Sequence, residues 1–64
     1  MNMSEIGSIL QSRRKKVGLT QQELADLARV NINTIVSIEK GVGNPLLATV
    51  MSITEVLGLQ VTID

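Results

Sequence analysis

The side chains best suited to making specific contacts lie between positions 32 and 40, where Ile32, Asn33, Val36, Ser37 and Lys40 recur at the spacing of one helical face. An amide, a hydroxyl and an ammonium on one stripe are binding tools. Asn33 can offer a donor–acceptor pair to adenine N6 and N7, and Ser37 can donate or accept. Ile32 or Val36 can pack on a thymine methyl, so the stripe suits A·T-leaning duplex. Bond-breaking chemistry has no footing, because the chain holds no histidine, cysteine, tyrosine or tryptophan and its six carboxylates are scattered. Ser8, Ser12, Ser37 and Ser52 have no adjacent base. Neither a nucleophile–base pair, a metal set nor a cofactor is expected, and the chain is not read as an enzyme.

The elements that must hold this stripe are legible around it. Thr20 followed by Glu23 forms a capping box, which starts a helix over roughly 21–28. Asn31 is a second N-cap, for a helix over roughly 32–40 that turns Ile35 and Ile38 inward and stops at Gly41. Only Arg29 and Val30 separate the two helices. They must therefore cross steeply, with Ala25 and Ala28 small enough to admit a close approach. A first helix is expected from Ser4 as N-cap to about Val17 or Gly18, burying Ile6, Ile9, Leu10 and Val17. A fourth is expected from about 45 to 57, with Asn44 as N-cap, Pro45 in the first turn, and Leu47, Val50, Met51, Ile53 and Leu57 inward. Gly58 ends it.

The run Leu19 to Ala25, then Thr34, Ile35, Ile38 to Gly41, and Asn44-Pro45 resembles the Xre, or Cro/CI-type, DNA-binding domain over about forty residues. The tail Gly58 to Ile63 resembles the HipB-like branch, whose members are dimeric repressors and often antitoxins. The resemblance implies an all-α, four-helix, lambda-repressor-like helix-turn-helix domain over 1–58. It makes Asn31, Ile32, Asn33 and Ser37 the base-reading set, and gives Gln21 and Gln22, at a helix N-terminus, to DNA phosphate. It also implies that Arg14 pairs with Glu39, tying the first helix to the end of the third. Lys40, Arg13 and Asn44 are further phosphate candidates, although a helix-end cation and a cap would account for Lys40 and Asn44 equally well. Arg29 departs from the family, which usually has glycine in this turn.

From Leu57 the apolar period changes to two, so residues 59–64 read as a short C-terminal β-strand with Leu59, Val61 and Ile63 on one side. No other segment reads as its partner. The same strand of a second copy, antiparallel across a two-fold axis, would satisfy it and make the chain a homodimer. A 64-residue domain with no cysteine to staple it gains from such an assembly.

Net charge is zero, but all six basic residues lie between 13 and 40, leaving that segment at +3 and the remainder at −3. One face is thus suited to a polyanion. Met1 to Leu10 does not read as a signal peptide and no apolar run could span a bilayer, so no membrane partner and a cytoplasmic location are expected. The expected function is a homodimeric, sequence-specific repressor of double-stranded DNA on a palindromic operator. By resemblance, it would regulate its own operon with a HipA-like toxin. The competing expectation is a protein-interaction module that holds a partner protein and binds DNA weakly.

Overall fold

The computed structural model describes residues 1–61. They form four helices: α1 (Met3–Val17), α2 (Gln21–Ala28), α3 (Ile32–Glu39) and α4 (Leu47–Val56). This is the four-helix, all-α helix-turn-helix arrangement. No β-strand is present among the described residues: 59–61 are irregular, and Ile63, with the rest of 62–64, lies outside them.

Three of the four helix starts follow from a side-chain cap. The Thr20 side chain accepts from the Glu23 amide at 3.0 Å, while the Glu23 carboxylate accepts from the Thr20 amide at 2.9 Å. Asn31 caps α3 by accepting from the Asn33 amide at 2.7 Å. At α1 the cap is Asn2, which accepts from the Glu5 amide at 2.9 Å. Ser4, expected in that role, sits inside the helix, because a cap at Asn2 lets α1 begin two residues earlier. The start of α4 also differs. Leu46 occupies the N-cap position without a side-chain hydrogen bond, and its ψ of 145° keeps it extended. Pro45 therefore precedes the helix instead of opening it, and Asn44 caps nothing. Pro45 is half-buried and lines two clefts, one beside the end of α3 and one beside α1.

α3 packs against α1 and α2, and α4 packs against α2. Leu10, Leu24, Ala25, Ala28, Ile35, Ile38, Ile53 and Leu57 make one continuous core. The α1–α3 contact is closest at Gly7, where an added Cβ would overlap the Ile38 carbonyl. A glycine in mid-helix costs roughly 1 kcal/mol against alanine. Here it lets two backbones touch.

The inward stripe expected of α1 and α4 is only partly buried. Ile9 and Val17 are 45% and 47% exposed, and Leu47 and Met51 are 53% and 50% exposed. For Ile9 and Leu47 the reason is geometric. α1 gives its buried side to α3 and α4 gives its own to α2, leaving between them a groove of about 580 Å³. Met1, Met3, Ile9, Leu47, Val50 and Val61 are among the residues that line it, and no charged side chain does.

Candidate nucleic-acid interface

The corner between α2 and α3 is built around Glu39, whose side chain is only 3% exposed. Arg14 of α1 grips it with two prongs, Nε to Oε2 at 2.7 Å and Nη2 to Oε1 at 3.0 Å. The remaining Arg14 nitrogen, Nη1, donates to the Leu19 carbonyl at 2.8 Å. From α2, Gln21 Nε2 adds a bond to Glu39 Oε1 at 3.1 Å. One carboxylate at the end of α3 is thus held by both other helices of the motif. Burial alone would push the Glu39 carboxyl up. Hydrogen bonds from Arg14, Gln21 and Gln11 and the charge of Arg14 outweigh it and hold the group below the ordinary carboxylate range, while the Glu39 hydrogen bond raises Arg14. No buried polar side-chain atom among the described residues is left without a partner.

Held this way, α3 turns Ile35 and Ile38 into the core and Asn33 into solvent. Ser37 is half-buried beside it. Asn33, Thr34 and Ser37 share a shallow cleft with the loop Val42 to Pro45, so Asn44 is brought next to the stripe. Asn31 is exposed at the head of the helix. Its Oδ1 is committed to the Asn33 amide, which leaves its NH₂ group to meet a ligand. Ile32 differs from the outward residue read in the sequence, since it is half-buried and packs against the core. Val36 is half-buried as well. The outer face of α3 is consequently more polar than its composition suggests.

The phosphate candidates divide. Lys40 is exposed at the α3 C-cap, adjoining the stripe. Gln21 stands at the start of α2 with its side chain turned to Glu39, and Gln22 donates from Nε2 to Asp26 Oδ1 at 2.8 Å. Arg13 is set apart. Its Nε donates to the Leu57 carbonyl at 2.9 Å, which clasps the end of α4 instead of reaching towards α3. The spacing of Arg13 gave no signal of this, because a basic run at a helix end reads alike whichever way each side chain turns. Gly7 was also unmarked, although an isolated glycine inside an apolar helical pattern is the signal to look for.

Two helices crossing at a tight turn, the second with its polar side free and its end locked from behind, define a helix-turn-helix domain. The chain matches the helix-turn-helix family over residues 10–63 and belongs to it. It is similar to an uncharacterized HTH-type transcriptional regulator of Methanothermobacter thermautotrophicus, 39% identical over 53 residues that cover 83% of this chain and 77% of that protein. No group of histidine, cysteine, aspartate or glutamate among the described residues could hold a metal ion, and no helix there is long and apolar enough to cross a membrane.

Proposed function

We propose that the chain is a DNA-binding transcriptional regulator that acts as a homodimeric repressor on a palindromic operator. The observation that carries this reading is the outward polar stripe of α3, Asn31, Asn33 and Ser37, on a helix whose far end is anchored through Glu39. An anchored helix can present an amide to base edges in the major groove without first being ordered, and Asn33 suits adenine. Exposed Lys40 and the loop at Asn44 border the stripe and position the domain on phosphate. Gln21 and Gln22 open α2 beside the same backbone, where the helix N-terminus favours an anion.

The uncharged groove between α1 and α4 supports the homodimer. A two-fold pair joined there, with Leu59, Val61 and Ile63 of each copy at the seam, would have to set two α3 helices about 34 Å apart to enter successive major grooves. The HipB-like tail adds a HipA-like toxin as the expected second partner. The resemblance of residues 58–63 alone carries that refinement.

Selection from a random duplex library tests the reading. Enrichment of an inverted repeat is expected, with Asn33→Ala losing roughly 1–3 kcal/mol of affinity for it and relaxing preference at one position per half-site. Failure to enrich any sequence would reject sequence-specific regulation. The groove would then be the working surface, which is the interaction-module alternative.

A further inference from the structure

All four helices end with one backbone device. The residue after the last turn takes positive φ, and the next amide bonds back across six residues: Leu19 to Arg14 at 3.1 Å, Val30 to Ala25 at 3.0 Å, Val42 to Ser37 at 3.0 Å and Leu59 to Thr54 at 2.8 Å. At three ends the positive-φ residue is glycine: Gly18, Gly41 and Gly58. At the fourth it is Arg29, at φ 58° and ψ 44°, the one non-glycine residue with positive φ among those described. A β-carbon makes that conformation unfavourable, and glycine would occupy it freely. Position 29 therefore gives up backbone stability to carry a side chain.

That side chain has no task among the described residues. Arg29 is exposed, and its guanidinium makes no hydrogen bond or ion pair among the described residues. The other arginines are committed, Arg14 to Glu39 and Arg13 to Leu57. Arg29 also occupies a distinctive place, two residues before Asn31, the N-cap of α3. In helix-turn-helix docking the N-terminal residues of the second helix meet base edges, so the turn leading into them runs beside the groove wall. Two residues of chain span at most about 7 Å, within reach of an arginine.

We propose that Arg29 is a phosphate-binding residue, whose planar fork clasps one backbone phosphate flanking the bases met by α3. The proposal rests on the DNA-binding reading above. It differs from a simple helix-end cation, which would favour the C-terminal dipole of α2 and contribute nothing on DNA.

The test measures binding of the full chain to a short random-sequence duplex over a salt series, together with thermal midpoints, for wild type, Arg29→Gly and Arg29→Lys. The phosphate role expects Arg29→Gly to melt higher, by on the order of 4 °C, as strain is relieved. The same variant should flatten the dependence of log K on log salt by about 0.9 for each protomer bound. Arg29→Lys should retain the wild-type slope with weaker binding. An unchanged slope in Arg29→Gly would overturn the proposal and leave Arg29 as a helix cap, with the DNA-binding reading intact. Wild-type protein that shows no salt-dependent binding to the duplex would overturn both.

Discussion

The corner at Glu39 and the groove between α1 and α4 are opposite solutions to holding helices together in a chain this short. At the corner, three helices meet on one buried carboxylate with every partner supplied from within. At the groove, two helices stand apart, apolar residues face solvent, and the polar tie between them is the Arg13–Leu57 clasp at the end of α4. Under the proposed homodimer, the contrast separates what the protomer completes alone, the orientation of α3, from what it would leave to a second copy, the spacing between two such helices.

The largest effect should come from breaking the corner. Arg14→Ala strands Glu39 in an environment that charges only a paired carboxylate, and removing one partner of such a pair typically costs about 3–5 kcal/mol. A domain of this size has roughly 3–10 kcal/mol in total. Much of the Arg14→Ala population is therefore expected to be unfolded by circular dichroism at ambient temperature. A variant that melts within a few degrees of wild type would mean that the ion pair is ornamental. Next in size is Gly7→Ala, which must push α1 off the Ile38 carbonyl and is expected to lose about 1–3 kcal/mol in chemical denaturation, despite alanine's better helix propensity. A gain in stability there would show that the close α1–α3 approach is not required.

At the groove the expectation inverts. Ile9→Lys and Leu47→Lys alter half-exposed side chains, so each should change the stability of the isolated protomer by no more than about 0.5 kcal/mol. Both should nevertheless shift sedimentation from dimer towards monomer, because a charge in the seam has no partner. Wild-type protein that sediments as a monomer would remove the contrast's second half and turn the groove over to another protein.

The two regions also differ in how well the amino-acid sequence announces them. The helix ends at the corner rest on local chemistry with fixed offsets, a Thr20–Glu23 capping box, an Asn31 cap and a glycine stop at 41, and such signals survive without knowledge of the rest of the fold. The Arg14–Glu39 pair that locks the corner spans 25 residues and is expected from the family resemblance alone. The groove depends on which side of α1 meets which helix. Periodicity marks Ile9 and Leu47 as apolar-face residues, yet cannot say that α1 turns its buried side to α3 and α4 its own to α2, leaving these two uncovered. The start of α4 departs from the sequence pattern for a related reason. Asn44-Pro45 is a good local cap, but the chain stays extended through Leu46 before it can turn onto α2. The helical stripe puts Asn33 and Ser37 on the outer side of α3, where Asn33 is exposed and Ser37 half-buried. It could not reveal the inward lean of Ile32 or the duty of Arg13 at Leu57, both of which are set by packing at long range.

The smallest expected effect sharpens the corner by titration. The folded-state pKa of Glu39 lies below its ordinary value of 4.5, because hydrogen bonds from Arg14 and Gln21 overcome the opposing effect of burial. A carboxylate with a depressed pKa binds fewer protons folded than unfolded, so its contribution is fully present above 4.5 and fades as pH falls through the folded value. Wild-type stability should therefore decline below pH 4.5, with Glu39 supplying part of the slope. Glu39→Gln keeps an acceptor for Arg14 but cannot titrate. It should be less stable than wild type at neutral pH, where the charge-assisted pair is lost, and the gap should narrow towards acid as wild type protonates. Glu23, lowered by its hydrogen bonds with Thr20, would still titrate in both proteins and cancel in the comparison. Two curves that run parallel through the acid range would assign the acid sensitivity elsewhere and reduce the buried pair to a matter of shape.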